Sequence, residues 1–242
     1  MSRIFHLTER HHISDTSEIQ RRVRVWESWK HLYLAGVVPV HYWAPFKRTA
    51  LSVGDKKPLP FLKDAINKAL CVASDGDILI ITNDDNVIHP MAIDESRRHI
   101  SLYPCGCARR TEFKNSHMPP LSVLPVNSAT CGDQHIGRDL FVFEVGWLRQ
   151  RMNDIPDFLL GAQLWDIWMM AWIRRQFGHP TTNDNWGYSF KGSELPEGIV
   201  WHQWHKSTWS NESRDGNEIT LPSNLWNKAL YDQWFANILA KT

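Results

Sequence analysis

The sequence has no long hydrophobic run, few cysteines and almost no net charge, and each absence excludes a class of protein. No stretch approaches the roughly 18 apolar residues of a membrane-spanning helix, and the most apolar helix-like segment, LWDIWMMAWI, is interrupted by Asp166. The four cysteines show neither a disulfide framework nor zinc-ligand spacing, which favours buried thiols and a reducing, cytoplasmic setting. A net charge of +1 indicates no global electrostatic field for nucleic acid or membranes.

The length and the aromatic content point to a folded α/β domain. A chain of 242 residues, 43% of them hydrophobic, suits one α/β domain with a sizeable core. The 13 tryptophans serve either this core or the stacking of sugar rings and bases. The first residues, MSRIFHLTERHH, turn polar after one short apolar run, which predicts no signal peptide.

Apolar segments of strand and helix period alternate along the first 90 residues. Strands are predicted at 3–7, 37–43 and 77–82, separated by helices at 19–33 and after Pro58 or Pro60. This order predicts right-handed crossovers and a parallel sheet, in which ligands bind beyond the carboxyl ends of the strands. Later in the chain we predict strands at 99–103, 140–143 and 199–204 and helices at 164–177 and 224–239.

An acidic cluster, Asn83-Asp84-Asp85-Asn86, follows the buried strand DILIIT directly. Carboxylates at the end of a buried strand are costly unless something compensates their charge, and a divalent cation is the simplest compensation. Mg²⁺ and Mn²⁺ prefer carboxylate oxygens and bind them together with substrate phosphates. An Asx-rich turn that merely ends the strand is the alternative interpretation.

The cluster and its context resemble the GT-A glycosyltransferases, which carry an acidic DxD motif after two βα units. The resemblance covers about residues 3–209 and implies an α/β fold, a single GT-A-like domain over 1–242 with a Rossmann-like, mainly parallel central sheet flanked by helices. It assigns 1–90 to nucleotide-sugar binding and 91–242 to acceptor binding. Asn83 departs from the strict motif, so Asp85 is the expected metal ligand and Asp84 the reserve candidate.

Two later segments extend the resemblance to the catalytic machinery. After the strand Gly137–Phe143, which looks like the strand leading to the acceptor side, GAQLWDIW resembles the segment in which an acidic residue opens a helix. Asp166 would then be the base of an inverting enzyme, held ionised by the helix dipole, unless it is only a helix-start residue. The late motif WHQWH implies a metal-binding histidine, for which His202 is preferred over His205.

The resemblance also implies a donor site for a nucleotide sugar, UDP-glucose or a similar UDP-sugar, with Mn²⁺ or Mg²⁺. For each basic residue among those expected at the donor site, a solvated surface charge is the alternative interpretation. The expected donor-site residues lie after the first strand, before the second helix, in the acidic cluster and beyond it: Thr8, Glu9, Arg10, Asp55, Lys57, Asn83, Asp84 and Arg110.

The acceptor is left more open by the sequence. The compact chain and the run LPFLKDAINKAL resemble phage and kinetoplastid glycosyltransferases that modify hydroxymethylated pyrimidines in DNA, which would place a phage-encoded protein in the host cytoplasm. Several basic residues are candidates for a phosphate-tracking face: Lys47, Arg48, Lys56, Lys57, Arg109, Arg110 and Lys114. A glycan, lipid or small-molecule acceptor, or a non-catalytic sugar- or nucleic-acid-binding protein on a GT-A fold, is the alternative. A nucleotidyltransferase would need a glycine-rich loop, which LTERHH lacks.

Overall fold

The computed structural model describes residues 2–8, 16–41, 49–54, 59–113, 133–179, 192–203 and 222–240. The strands are β1 (Ile4–Thr8), β2 (Val38–His41), β3 (Ile78–Thr82), β4 (Asn86–Ile88), β5 (Cys105–Phe113), β6 (Asp133–Glu144) and β7 (Val200–Gln203). The helices are α1 (Thr16–Leu34), α2 (Leu62–Leu70), α3 (Ala92–Ile100), α4 (Val145–Arg149), α5 (Trp165–Gln176) and α6 (Pro222–Leu239).

The seven strands form one mixed sheet in the order β2-β1-β3-β6-β5-β7-β4. The first half is parallel, because α1 and α2 return the chain to the same end of the sheet after β1 and β2. Strand β6 pairs antiparallel with β3 and β5, β7 pairs parallel with β5, and β4 pairs antiparallel with β7. The predicted α/β class, with a central sheet flanked by helices, is confirmed; the parallel pairings account for half of the sheet rather than most of it.

The sheet must curl, because β3 and β4 are adjacent in sequence and far apart in strand order. The chain advances four residues from Thr82 to Asn86, which span at most about 14 Å. Four strand spacings in a flat sheet would be about 19 Å. Register shifts at Ala108/Arg109 and Arg109/Thr111 accompany this curvature in β5, since a bulge bends a strand and increases its twist. Curling brings β4 and β7 towards the carboxyl end of β3.

Alternate residues of the central strands bury into two different cores. Ile78 and Ile80 face the layer that contains α1 and α3, whereas Leu79 and Ile81 face the layer that contains α2, α4, α5 and α6. Because both faces of β3 are covered, its sequence is uniformly apolar. Many of the tryptophans pack within these layers; those that are buried include Trp29, Trp165, Trp168, Trp172 and Trp201. No helix in the described ranges combines the length and the apolarity needed to cross a bilayer.

The prediction of a strand at 99–103 is wrong. His99 and Ile100 end α3, and the following residues form a turn. In α3 the buried residues are Ala92, Ile93, Ser96 and His99. They recur with the helical period of 3.6 residues, which the short apolar run HISLY did not reveal. Arg109 and Arg110 consequently lie within β5 rather than after the preceding strand.

Candidate functional site

The acidic cluster lies at the carboxyl edge of β3, as the order of the elements predicts. Strand β3 is buried along its whole length and ends at Thr82, which lies beside Thr8 of β1 in the parallel register. Asn83, Asp84 and Asp85 then form the connection to β4. Asp84 is buried, whereas the side chain of Asp85 is 22% exposed. Asp85 is therefore the more accessible of the two carboxylates.

Asp85 and His202 are brought together by the pairing of β4 with β7. Asn86 lies opposite His202 in this antiparallel register, so the preceding carboxylate reaches the imidazole, and Oδ2 of Asp85 lies 3.1 Å from Nε2 of His202. Burial lowers the pKa of His202, but Asp85 and Glu112 raise it more strongly, to about 9. At neutral pH the ring is thus a cation beside two carboxylates.

The contacts of His202 continue across the sheet as a row of alternating charges. Nδ1 of His202 lies 3.6 Å from Oε1 of Glu112, Nη2 of Arg110 donates to the same oxygen at 2.7 Å, and Nη1 of Arg110 donates to Oδ2 of Asp139 at 2.7 Å. We call Asp85, His202, Glu112, Arg110 and Asp139 the ionic row. It crosses β7, β5 and β6, and its Asp139 end is fully buried.

Arg110 is the second cation of the ionic row and lies between Glu112 and Asp139. Burial by itself would lower its pKa, but Asp139, Glu112 and Asp85 raise that pKa above its usual range. The expected role of Arg110 was a phosphate ligand. In the structure its guanidinium joins two carboxylates, so a diphosphate would have to compete with both of them.

Asp166 lies next to the Asp139 end of the ionic row. It is the second residue of α5 and is partly buried. Burial and the charge of Asp139 raise its pKa to about 6, while the backbone amides of the first turn and Arg110 lower it by less. We expected the helix N-terminus to keep Asp166 ionised by lowering its pKa, but the opposing effect of burial is larger. Near pH 6 this carboxyl can both release and accept a proton.

The segment before Asp166 has a strained backbone that α6 holds in place. Leu164 has φ 75°, a left-handed conformation that costs a leucine about 1–2 kcal/mol. Asn227 of α6 accepts from Leu159 N and donates to the carbonyls of Leu159 and Gln163, and Asn224 accepts from Gln163 N. Both asparagines are buried, so α6 fixes the entry to α5.

Asp85 and His202 could together hold a divalent cation if the substrate supplied its remaining ligands. Among the described residues, no group of three or more His, Cys, Asp and Glu side chains is placed to hold a metal ion. A carboxylate is the protein ligand that Mn²⁺ and Mg²⁺ share with phosphate oxygens, and the imidazole of His202 could join it after losing its proton. The remaining predicted donor-site residues and the alternative histidine lie outside the described residues: Glu9, Arg10, Asp55, Lys57 and His205.

Glu112 and Asp139 belong to this cluster, and the sequence reasoning did not single them out. Arg110 and Glu112 are two positions apart on β5 and therefore share a face, a signal that was lost because β5 was not predicted. Asp139 lies in the predicted strand at the start of its apolar run. Its Oδ1 has no hydrogen-bond partner among the described residues.

Two of the three described cysteines follow the expectation of buried thiols, and Cys71 departs from it. Cys105 and Cys107 are buried in β5, and Cys71 is exposed. Burial and the neighbouring Glu194 raise the pKa of Cys107 to about 12, which leaves its thiol protonated and unreactive at neutral pH. Cys131 lies outside the described residues.

The sequence matches no known protein family and no curated protein sequence. Among solved structures, the fold is similar to the crystal structure of 4-diphosphocytidyl-2C-methyl-D-erythritol synthase from Anaerococcus prevotii DSM 20548. The alignment covers 93% of this chain and 99% of that chain, with 7% sequence identity and a TM-score of 0.34. At that TM-score, the case for a function depends on the residues of this chain.

Proposed function

We propose that this protein is a metal-dependent glycosyltransferase that moves a sugar from a nucleotide sugar to an acceptor hydroxyl. The observation that carries the proposal is the meeting of Asp85 and His202 at the carboxyl edge of β3. An α/β sheet binds ligands at this edge. The carboxylate of Asp85 and the imidazole of His202 meet there although they are 117 residues apart in the chain. Together they offer two metal ligands, whereas each segment alone offers one of them.

Asp85 and His202 are the proposed ligands of Mn²⁺ or Mg²⁺, with Asp84 in reserve. The bound cation would supply positive charge to the diphosphate that leaves the sugar. Asp84 is buried, so a ligand would reach Asp85 more easily. Thr8 and Asn83 lie at the same edge, where they would line a donor site. Glu9, Arg10, Asp55 and Lys57 are proposed for the donor site from the resemblance alone.

Asp166 is the proposed catalytic base. Its carboxylate would take the proton of the acceptor hydroxyl, the oxygen would form a bond to the anomeric carbon, and the bond from that carbon to the nucleoside diphosphate would break. A pKa of about 6 makes this carboxylate a better base than an ordinary aspartate and leaves most of it ionised above pH 7. Direct attack of this kind inverts the anomeric carbon.

DNA carrying hydroxymethylated pyrimidines is the first candidate for the acceptor. Two residues of the expected basic face are described, and both are engaged by carboxylates. Arg109 lies 3.7 Å from Glu197, and Arg110 joins the ionic row. Glycan, lipid and small-molecule acceptors are therefore tested alongside DNA. If no transfer to any acceptor occurs, the protein is a non-catalytic sugar- or nucleic-acid-binding protein.

Calorimetry with UDP-sugars, with and without Mn²⁺, tests the proposal. We expect binding that requires Mn²⁺ and is lost in Asp85→Ala, but is retained in the control Asp94→Ala, which removes an exposed carboxylate of α3. Donors that bind are then incubated with candidate acceptors, including 5-hydroxymethylcytosine DNA, and the products are weighed by mass spectrometry. Binding that is indifferent to Mn²⁺ and unchanged in Asp85→Ala would refute the metal site.

A further inference from the structure

Glu112 is the neighbour of His202 on the side opposite Asp85. The two residues are partners in the parallel register of β5 and β7. Oε1 of Glu112 lies 3.6 Å from Nδ1 of His202, a distance that is an ionic contact rather than a hydrogen bond. Both side chains are largely buried, so water screens the contact weakly.

The carboxylate of Glu112 is fixed in its position by the rest of the ionic row. Its Oε1 accepts from Nη2 of Arg110, and Nη1 of Arg110 donates to Oδ2 of Asp139. Asp139 has no exposed side-chain surface. A glutamate tied in this way presents a stationary acceptor to the imidazole, instead of sampling the rotamers that a free glutamate would sample.

The two nitrogens of an imidazole have different tasks when one of them binds a cation. The binding nitrogen must offer its lone pair, so the hydrogen of the neutral ring resides on the other nitrogen. An acceptor beside that second nitrogen selects the tautomer and orients the ring. In this protein Nε2 of His202 faces Asp85, Nδ1 faces Glu112, and the position for an orienting acceptor is occupied by Glu112.

We propose that Glu112 is the positioning residue of His202. Its carboxylate beside Nδ1 favours the ring hydrogen on that nitrogen and thereby leaves Nε2 directed towards Asp85 and a shared divalent cation. This inference rests on the metal site of the proposed function, and it assigns Arg110 and Asp139 to the support of Glu112. Arg110 then acts through two carboxylates of the protein and not through the phosphates of the donor.

The test compares two substitutions of Glu112 by Mn²⁺ titration monitored by EPR, at a fixed concentration of UDP. Glu112→Ala removes the acceptor, and we expect a 10- to 100-fold loss of Mn²⁺ affinity, the usual effect of losing such a partner. Glu112→Gln keeps an amide oxygen for Nδ1 and Arg110, so it should retain most of the affinity. Glu95→Ala, which breaks the exposed pair with Arg98 on α3, is the matched control and should match the wild type.

A second readout observes the ring itself and does not depend on activity. In ¹⁵N NMR of the Mg²⁺-loaded protein, the hydrogen of His202 should reside on Nδ1 in the wild type and in Glu112→Gln. Thermal unfolding establishes that each variant is folded. Equal Mn²⁺ affinity of Glu112→Ala and the wild type would overturn the inference, as would equal losses in both Glu112 variants or a hydrogen on Nε2.

These outcomes separate the two proposals. If the wild type binds Mn²⁺ and Asp85→Ala abolishes binding while Glu112→Ala does not change it, the metal site stands and the role of Glu112 fails. If the wild type binds no divalent cation, the proposed function and the role of Glu112 fail together.

Discussion

Nε2 of His202 lies 3.1 Å from Oδ2 of Asp85, although the two residues are 117 positions apart in the chain. The contact is closer than the 3.6 Å between the same ring and Glu112. It joins the turn after β3 to the strand β7 near the other edge of the sheet order. In the metal-free protein, the effect of Asp85 on the pKa of His202 can be measured.

His202 in chelator-treated protein is expected to titrate with a pKa of about 9. Since Asp85 is the strongest of the groups that raise this pKa, Asp85→Asn should lower it. Because the folded-state pKa exceeds the ordinary histidine value of 6.5, the pair stabilises the fold fully below about pH 6.5 and loses this contribution as the pH rises through 9. Histidine chemical shifts followed by NMR against pH give the value. An unchanged pKa in Asp85→Asn would contradict the assignment of its cause.

Asp166→Asn is expected to make the protein more stable at pH 8 and to change its stability little at pH 4. The folded-state pKa of Asp166, about 6, lies above its usual 3.8, so its contribution to stability is fully present below pH 4 and is lost as the pH rises through 6. Thermal unfolding at both pH values measures the difference. The control Asp154→Asn removes a carboxyl at an exposed position and gives the effect of losing a surface charge.

The same carboxyl should control the pH dependence of transfer if the proposed function holds. The base must be ionised, so kcat rises with pH around 6 and reaches a plateau above pH 7. Asp166→Asn should lower kcat by about 10²- to 10⁴-fold at the plateau, with little effect on Mn²⁺ binding. A variant that keeps the wild-type rate and pH profile would exclude Asp166 as the base.

Asn227→Ala is expected to destabilise the protein by about 3 kcal/mol, since it leaves buried backbone groups at Leu159 and Gln163 without their partner. Chemical denaturation measures the loss. Asn67→Ala on the exposed face of α2 is the control and should lie within about 0.5 kcal/mol of the wild type. A loss as small as that of the control would show that the loop before α5 does not depend on α6.

Gly106→Ala should also destabilise the fold, because a Cβ at this position would clash with the imidazole of His99. His99 is buried and contacts the carbonyl of Cys105 at 2.9 Å, so the ring has to move and break this contact. We expect a cost of about 1–3 kcal/mol, measured by denaturation. The double variant Gly106→Ala/His99→Ala should recover the part of this loss that is due to the clash.

The sequence was informative where structure depends on local pattern. The apolar run of β3 and the amphipathic spacing of α1 and α2 predict these elements correctly, because their burial follows from residues close in the chain. Strand β5 was missed, since Arg109, Arg110 and Glu112 interrupt its apolar pattern. Those charges are matched by Asp139 of β6, Glu197 just before β7 and His202 of β7, and no local rule anticipates such partners.

The site shows the same limit. The nearness of Asp85 and His202 agrees with the place that the resemblance assigns to them, while their roles remain predictions. Glu112 and Asp139 were not found, because their importance depends on the registers of β5 with β6 and β7. A register is fixed by packing and turn geometry across the whole sheet, and a single sequence gives little information about either.

The pairing of β4 with β7 has a consequence for how the protein folds. Three residues of β4 find their partners only when a strand more than 100 residues later has docked, and closing so long a loop is slow compared with forming helices. The two halves of the Asp85–His202 pair are therefore separate in any early folding intermediate. If the proposed metal site holds, the acquisition of divalent-cation binding during refolding would report the docking of β7 against β4.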